Sequence, residues 1–437
     1  MQLNSTNNPS LLFSFEEALF QGLPEDKGLF MPVQIPEIPK ELIPQLDKYT
    51  FQEIAFQVAK ALLNGEIPDK DLQKIIESAI SFPAPVVMLD DHTAVLELFH
   101  GPSLAFKDFG ARFMAKAMAY FNKETESDLI ILVATSGDTG GAVAAGFYQT
   151  PGIQVVILYP SGKVSPLQEK QLTTLGENIH AFEVEGTFDD CQALVKEAFL
   201  DQTLRSKLRL SSANSINIAR LIPQIFYYWE AYKQVSGMGK PVVFVVPSGN
   251  FGNLTAGLIA QKMGLPVHCF VAATNANDII PEYLNTGLYN PQPSIPTLSN
   301  AMDVGNPSNF ARILNLYGST WNIIKDHITG YAFSDIETEQ AMRQIFLHHN
   351  YIMDPHGAVG YLAWRKYQEK IKNEALGIIF ETAHPAKFLE DVERILSQKI
   401  DIPYNLQSLQ AKEKRSTPIA VNYLEFKMHL LEAFEKK

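Results

Sequence analysis

The chain has 437 residues, of which 46% are hydrophobic, enough to fill two or three structural units around one large site. Its 36 basic and 48 acidic residues give a formal net charge of -12, which argues against an extended surface for nucleic acid or for anionic membranes. Cys191 and Cys269 form neither a disulfide framework nor a CxxC metal motif, which suits a reducing compartment.

The opening region shows helical patterning and no targeting signal. Residues 1–10 lack the basic start and apolar core of a signal peptide, and no later apolar run approaches the length of a membrane span. We therefore expect a cytoplasmic protein that binds neither membranes nor nucleic acid. Residues 37–80 place apolar and charged positions at helical spacing, which predicts a mainly helical region. Further on, the Asn- and Pro-rich stretch 285–307 is expected to form a long surface segment over the site.

From residue 94 onward, short apolar runs alternate with segments of helical length. The runs are continuous, as in strands buried on both faces, and lie at 94–99, 129–134, 153–159, 178–185, 241–247, 266–272 and 375–382. The helical segments lie at 140–149, 166–175, 188–200, 216–235 and 252–263. This repetition predicts an α/β fold with parallel sheets. Ligands of such sheets bind at the carboxyl ends of the strands, so the loops that lead into helices are the candidate sites.

The first candidate loop is HGPSLAFKDFG, residues 100–110, in which a Gly-Pro turn follows a strand and Lys107 opens the next helix. A lysine at the start of this helix faces the loops at the carboxyl ends of the strands. Partial burial depresses the pKa of such a lysine and makes the neutral amine available for Schiff-base chemistry. The local alternative is a solvated lysine with Asp108 as an ordinary ion partner, and on spacing alone it is the simpler interpretation.

Two glycine-rich loops follow buried strands. ATSGDTGGAVAAGF, residues 134–147, offers the hydroxyls of Thr135, Ser136 and Thr139 beside backbone amides that suit a carboxylate or a phosphate. A tight strand-to-helix turn explains this pattern equally well. VVPSGNFGN, residues 245–253, forms a second anion cradle, but it lacks the lysine of a P-loop and the spacing of a dinucleotide fingerprint. Two cradles and a lysine suggest a site for two anions.

Two further loops supply polar side chains. SSANSINIAR, residues 211–220, brings the amides of Asn214 and Asn217 close to Arg220, whose planar guanidinium suits phosphate. The alternative is an Asn-rich helix cap with a surface arginine. In FETAHPAKF, residues 380–388, Thr382 ends a strand and can offer a hydroxyl to a ring nitrogen, although an N-cap explains it too.

Other common site patterns are missing from the sequence. The histidines form no HExxH or comparable pattern, so we predict no metal site. A serine hydrolase has little support because the GxSxG elbow does not occur.

Taken together, HGPSLAFKDFG, TSGDTGG, NSINIAR, PSGNFGN and TAHPAKF resemble the threonine synthase family in order and spacing. The segment FSFEEALFQGLPEDKGLFMP resembles that family's opening and extends the similarity to roughly residues 4–395. One departure is Asn7-Asn8, where the family usually has Arg-Gly. The departure affects only a local contact near the N-terminus.

The resemblance implies a fold-type-II pyridoxal-phosphate enzyme, in which a smaller α/β domain closes on a larger one over pyridoxal 5'-phosphate. We accordingly expect two parallel-sheet-based domains behind a mainly helical N-terminal region, 1–92. The large cofactor-binding domain would span 93–111 and 226–437, and the smaller domain 112–225. As partners we expect the small-molecule substrate O-phospho-L-homoserine and, in solution, a monomer or homodimer.

The resemblance also implies roles for individual residues. Lys107 would carry the cofactor as a Schiff base and act as the catalytic base. The cofactor phosphate would lie on the loop formed by Ser248, Gly249, Asn250, Phe251, Gly252 and Asn253, while Thr382 faces the pyridine nitrogen and Asp138 the phenolic oxygen. The substrate would be held by Thr135, Ser136, Thr139, Asn214 and Arg220. Related fold-type-II enzymes usually have Asn at the position of Asp138, whereas the branch that this chain resembles also has Asp.

The implied reaction converts O-phospho-L-homoserine and water to L-threonine and phosphate by γ-elimination followed by β-addition. Two other functions fit the same motifs. One is another pyridoxal-phosphate lyase, such as a serine/threonine dehydratase or a phospho-lyase. The other is a non-catalytic paralogue that binds the vitamer or an amino acid, and the intact Lys107 speaks against it.

Overall fold

The computed structural model describes residues 1–125, 127–135, 137–371 and 374–435. Its strands are β1 (Leu3–Ser5), β2 (Leu12–Phe13), β3 (Phe30–Pro32), β4 (Val86–Asp90), β5 (Thr93–Glu97), β6 (Leu129–Ala134), β7 (Ile153–Pro160), β8 (Ile179–Val184), β9 (Arg209–Ser212), β10 (Val242–Pro247), β11 (Cys269–Thr274), β12 (Ile328–Ala332), β13 (Leu376–Glu381) and β14 (Thr417–Ile419).

The α-helices are α1 (Phe15–Gln21), α2 (Phe51–Leu63), α3 (Asp69–Ala79), α4 (Lys107–Phe121), α5 (Asp138–Phe147), α6 (Pro166–Thr173), α7 (Phe188–Leu200), α8 (Gln202–Lys207), α9 (Ile218–Leu221), α10 (Phe226–Val235), α11 (Gly252–Lys262), α12 (Ile279–Thr286), α13 (Phe310–Leu316), α14 (Trp321–His327), α15 (Asp335–His349), α16 (Pro355–Ile371), α17 (Leu389–Leu396), α18 (Tyr404–Gln410) and α19 (Tyr423–Phe434). Short 3-10 helices cover Lys40–Lys48, Ile222–Ile225, Ser236–Met238, Asn300–Met302 and Pro385–Phe388.

Two parallel-strand sheets organise the chain. The larger has the order β12-β11-β10-β13-β5-β4 and the smaller the order β14-β8-β7-β6-β9. All neighbours are parallel except β4, which pairs antiparallel with β5 at the edge of the larger sheet. Every residue of β10 and β11 is buried, as the continuous apolar runs predicted. The expected α/β fold with parallel sheets is confirmed.

The N-terminal region is a helical layer with a small sheet of its own. Strands β2, β1 and β3 pair antiparallel, and α2 begins at a capping box formed by Thr50 and Glu53. The apolar faces of α2 and α3 belong to the largest hydrophobic core. Asn7 is exposed and donates to the Asp26 carbonyl oxygen at 3.1 Å, so the Asn7-Asn8 departure lies at the surface.

Two strand pairs cross the expected domain boundaries. β4 lies inside the 1–92 region but pairs with β5 of the larger sheet. β14 lies inside the 226–437 segment but pairs with β8 of the smaller sheet, and Phe426 and Leu430 of α19 pack into the same core as that sheet. Strand β14 and α19 therefore pack with the smaller sheet. Strand β14 is only three residues long, too short to give a periodic signal.

The candidate loops lie where strands of both sheets end. β5 leads to Lys107, β10 leads to α11, and β13 leads to Thr382, all within the larger sheet. β6 leads to α5 and β9 leads to α9, both in the smaller sheet. Parallel strands collect their carboxyl ends on one edge, so the loops of each sheet lie together. Loops of the two sheets are joined by contacts of Lys387 with Asp138 and of Asn250 with Ser215.

Candidate active site

Lys107 is fixed at the start of α4 by contacts with the loop that contains Thr382. The Phe106 amide donates to the Thr382 carbonyl oxygen at 2.8 Å, and the His384 amide donates to that of Leu104 at 3.0 Å. Lys107 itself is half-buried. The backbone thus joins the two loops, from β5 and from β13, that the sequence predicted to be near each other.

The electrostatic surroundings favour the neutral amine of Lys107. Desolvation of the ammonium lowers the pKa of Lys107, the charge of Asp138 acts in the opposite direction, and Arg220 and Lys387 add to the lowering. Asp138, Arg220 and Lys387 each come from a different loop. A lysine with a lowered pKa is the type of residue needed for Schiff-base formation and for proton transfer.

Asp108 is not the ion partner of Lys107. The Asp108 side chain is buried, and its Oδ2 accepts from the backbone amide of Ser103 at 2.8 Å. Burial of the carboxyl raises the pKa of Asp108 to about 6, with the Ser103 hydrogen bonds acting against the shift. The solvated ion pair that was the local alternative for Lys107 is therefore not formed.

Asp138 is the first residue of α5 and forms a buried ion pair. The Lys387 ammonium lies 2.9 Å from Asp138 Oδ1, and Gln168 Nε2 donates to the same oxygen at 2.9 Å. Burial by itself would raise the pKa of Asp138, but the charges of Lys387 and Lys107 and these hydrogen bonds hold it well below its usual value. Asp138 is therefore an ionised carboxylate beside Lys107.

The loop at residues 135–140 is ordered by Thr135. Its buried Oγ1 accepts from the amides of Gly137 at 3.0 Å and Gly140 at 2.9 Å, so its hydroxyl stabilises the turn. Thr139 is half-buried in the first turn of α5. Ser136 lies outside the described residues. Of the two interpretations of this loop, the tight turn describes what Thr135 does in the structure.

The loop from Ser248 to Asn253 leads into the N-terminus of α11. Phe251 has a φ of 59°, a left-handed conformation that turns the chain into the helix at Gly252. At Gly249 a Cβ would come within 2.7 Å of the Met302 Cα, so only glycine fits beside that segment. Met302 belongs to the stretch 285–307, which the sequence predicted to lie over the site.

Asn253 presents an amide donor at this helix N-terminus. Its Oδ1 accepts from the hydroxyls of Tyr227 at 2.8 Å and Tyr228 at 2.9 Å, which orients Nδ2 as the free group. Nδ2 is buried and has no partner within the part of the chain that the structure describes. A buried donor without a partner is costly, so this atom indicates a ligand.

Asn309 presents a second such donor, which the sequence did not reveal. Its Oδ1 accepts from Arg312 Nη1 at 2.6 Å, and its Nδ2 lies 3.3 Å from where a Cβ of Gly252 would be. This Nδ2 is also buried without a partner among the described residues. Two unpartnered amides at one helix N-terminus, with its backbone N–H groups, make a site that fits a phosphate.

In the segment after β9, the contacts of Arg220 support a role in the site more than those of Asn214 and Asn217 do. Arg220 is buried, donates to the Ala213 carbonyl oxygen at 2.7 Å, and has an Nε with no partner in the described chain. Desolvation lowers the pKa of Arg220 to about 10, and Asp108 opposes the shift. Asn217 is a helix cap, because its Oδ1 accepts from the Ala219 amide at 2.9 Å, and Asn214 is exposed.

Ser248, Asn250 and Thr382 complete the predicted set. The Ser248 amide donates to the Ala273 carbonyl oxygen at 2.8 Å, and Asn250 Nδ2 donates to the Ser215 hydroxyl at 2.9 Å. Thr382 is buried directly after β13. Asn250 thus links the cradle to the loop that carries Arg220.

Comparison with known proteins identifies the family. The model described as "Pyridoxal-phosphate dependent enzyme" matches residues 89–381, "Threonine synthase N terminus" matches 2–80, and "Threonine synthase, C-terminal" matches 357–427. A threonine synthase of Serratia marcescens is 46% identical over 405 residues, which are 92% of each chain. The chain belongs to the threonine synthase family.

Solved structures of the threonine synthase family share the whole architecture. The crystal structure from Escherichia coli has a TM-score of 0.91 and 42% identity, covering 99% of this chain and 100% of that one. The pyridoxal-phosphate-bound structure from Brucella melitensis has a TM-score of 0.94 and 33% identity, covering 100% of both chains. The expected fold-type-II architecture, the lyase class and the pyridoxal-phosphate cofactor are confirmed.

The described residues fit that cofactor. The N-terminus of α11 with the free amides of Asn253 and Asn309 suits its phosphate, and Lys107 has the lowered pKa that covalent attachment requires. Within the ranges that the structure describes, no group of three or more His, Cys, Asp or Glu side chains could hold a metal ion, and no helix is long and apolar enough to cross a membrane.

Sequence reasoning missed Lys387 and Asn309. Lys387 lies inside TAHPAKF, a motif used for the family resemblance, and a lysine between apolar residues was the available signal. Its side chain is fully buried. Asn309 follows the Asn- and Pro-rich stretch and had no pattern to distinguish it.

Proposed function

We propose that the chain converts O-phospho-L-homoserine and water to L-threonine and inorganic phosphate. The observation that carries the proposal is the presence of two separate anion-binding features, the α11 cradle and the buried Arg220, of which Arg220 acts by its charge on the half-buried Lys107. A substrate with its own phosphate needs the second feature, whereas a dehydratase acting on an unphosphorylated amino acid does not.

Lys107 is proposed to transfer the protons. When bound, pyridoxal phosphate supplies an electron sink that stabilises negative charge at the substrate carbons. The neutral amine of Lys107, favoured by desolvation and by the charge of Arg220, would remove the proton from Cα and then one from Cβ. After phosphate leaves from Cγ, Lys107 would return one proton to Cγ and one to Cα. Water would add its hydroxyl group at Cβ, and its other proton would go to the released phosphate, which balances the reaction.

Arg220 is proposed to hold the phosphate that leaves from Cγ, with Asn214 as a second donor on the same loop. The buried guanidinium with its unpartnered Nε supports this role. The loop of Thr135, Ser136 and Thr139 is proposed to bind the carboxylate. Thr135 would act by holding the amides of that loop in place, since its hydroxyl already accepts from two of them.

The cofactor is proposed to lie between Ser248–Asn253 and Thr382. The cradle residues Ser248, Gly249, Asn250, Phe251, Gly252 and Asn253 would bind its phosphate, as the free Nδ2 of Asn253 supports. Thr382 would face the pyridine nitrogen and Asp138 the phenolic oxygen. We also propose a cytoplasmic location and a monomeric or homodimeric state. The free, buried Cys191 and Cys269 agree with a reducing compartment.

Product analysis tests the function directly. The purified protein, saturated with pyridoxal phosphate, is given O-phospho-L-homoserine, and both phosphate and amino acid are measured. We expect one L-threonine for each phosphate released. Release of phosphate with a 2-oxo acid in place of threonine would indicate a phospho-lyase, and a 2-oxo acid formed from L-serine alone would indicate a dehydratase.

A further inference from the structure

Lys387 connects the two sheets at the site. It lies in the 3-10 helix Pro385–Phe388 after β13 of the larger sheet, and its side chain is fully buried. Its ammonium contacts Asp138 Oδ1 at 2.9 Å, Gln171 Oε1 at 3.0 Å and the Ser103 carbonyl oxygen at 2.7 Å. The three donors of the ammonium thus each have a partner.

The carboxylate partner of Lys387 is at the start of α5, in the smaller domain. Asp138 Oδ1 receives both Lys387 and Gln168, so the contacts among the described residues fall on one oxygen of the carboxylate. Removing one member of a buried ion pair leaves the other charge without compensation. Without Lys387, the charge of Lys107 would be left to compensate the Asp138 carboxylate.

Both members of the pair act on Lys107. Besides Asp138 on α5 and Lys387, Arg220 on α9 acts by its charge on Lys107, and Asp108 is the next residue of its own helix. Ser103 links two of them, because its amide donates to Asp108 and its carbonyl oxygen accepts from Lys387. Asp138 favours a positive charge on the Lys107 nitrogen, whereas Lys387 and Arg220 oppose it.

We propose that Lys387 is a positioning residue that offsets the charge of Asp138 and thereby keeps the Lys107 nitrogen in its unprotonated form during catalysis. The inference rests on the proposed role of Lys107. It explains how a carboxylate can stand beside the reactive lysine without trapping it as a cation. It also assigns a chemical role to a contact that otherwise only holds the two sheets together.

Three variants of the holoenzyme separate these roles. We expect Lys387→Met to raise by about one unit the pH midpoint of the visible absorbance of the bound cofactor, because Asp138 then acts alone. Asp138→Asn should lower that midpoint by about one unit, because Lys387 is left without its partner. The double variant Asp138→Asn/Lys387→Met removes both charges and should return close to wild type.

The acidic limb of the pH profile of kcat/KM should move in the same directions. Lys414→Met is the matched control, because Lys414 also bridges carboxylates, Glu169 and Glu183, but is partly exposed in the smaller domain. It should leave the midpoint unchanged.

If Lys387 only held the two sheets together, the variants would show a different pattern of midpoint shifts. Both single variants would then lose thermal stability without opposite shifts of the midpoint, and that result would overturn the proposal. Should Lys387→Met fail to fold, Asp138→Asn and the double variant still decide the question. If the wild type forms threonine but the variants keep its pH midpoint, only the role of Lys387 is refuted. If the wild type forms no threonine, the proposed function itself is refuted.

Discussion

The Tyr228 hydroxyl lies 2.9 Å from the side-chain oxygen of Asn253. Tyr228 is fully buried in α10, and the contact fixes which end of the Asn253 amide faces the N-terminus of α11. An aromatic residue of the core thus determines the direction of a donor in the proposed cofactor site.

Asn253→Ala should weaken binding of pyridoxal phosphate. A hydrogen bond to a charged group contributes about 1.5–3 kcal/mol, so we expect the dissociation constant to rise by roughly 10- to 100-fold. Titration of the cofactor-free protein by fluorescence measures this constant. Pyridoxal without its phosphate should bind wild type and variant alike, and an equal loss for both ligands would contradict the assignment.

Tyr228→Phe should have a smaller effect in the same direction. The Asn253 amide loses its orienting contact, while Tyr227 still donates to Oδ1 at 2.8 Å. The comparison is Tyr232→Phe on the same helix, which is half-buried and should bind the cofactor as wild type does. Equal affinities for all three proteins would exclude the orienting role.

Arg220→Ala should reduce turnover far more than cofactor binding. Loss of the guanidinium removes a charge-assisted contact with the substrate phosphate, so we expect kcat/KM for O-phospho-L-homoserine to fall by roughly 10- to 100-fold. The visible absorbance of the bound cofactor should be retained. Arg209→Ala, at the start of β9, is the control, since Arg209 contacts Asn122 and the Ser127 carbonyl oxygen. An unchanged specificity constant in Arg220→Ala would refute the phosphate role.

Gly110→Ala should separate α4 from α9. A Cβ at this position would lie 2.8 Å from the Arg220 carbonyl oxygen, so the helix that carries Lys107 and the loop that carries Arg220 must move apart. We expect a loss of about 1–3 kcal/mol in the free energy of unfolding and a lower kcat/KM. Gly237→Ala, where nothing lies within 4 Å, should change neither quantity. Equal effects of Gly110→Ala and Gly237→Ala on the free energy of unfolding and on kcat/KM would refute the close approach of α4 and α9.

Asp108 should make stability depend on pH. Its pKa is raised from 3.8 to about 6 by burial, so its contribution to stability is present below about pH 4 and is lost as pH rises through about 6. The difference corresponds to about 3 kcal/mol. Asp108→Asn should therefore be more stable than wild type at pH 7, but not at pH 4. Denaturant unfolding at pH 4 and pH 7 measures both stabilities. An equal difference between Asp108→Asn and wild type at the two pH values would contradict the prediction.

The sequence predicted the strands and the turns that carry the candidate site residues. Buried strands β6 and β10 are recognisable because each is a continuous apolar run, and the glycines after them mark the turns into α5 and α11. The start of α4 at Lys107 was predicted in the same way, from the Gly-Pro turn that follows a strand. Local patterns suffice where the chemistry and the fold use neighbouring residues.

Contacts between loops could not be predicted in the same way. Lys387 and Asp138 are far apart in sequence, and only the approach of the two sheets makes them partners. Asn217 shows why residue type alone does not decide a role, because a helix cap and a phosphate donor use the same residue type. In the structure it caps α9, which is the alternative that the sequence left open. Strand β14 was missed because three residues at a sheet edge carry no pattern.

The central claim is that Lys107 carries the cofactor. Borohydride reduction of the holoenzyme, followed by proteolysis and mass spectrometry, locates the lysine to which pyridoxal phosphate is bound. We expect the label on Lys107, with Lys387 unmodified because its ammonium is held by Asp138, Gln171 and Ser103. A label on any other lysine, or none in a protein that still forms threonine, would contradict the account.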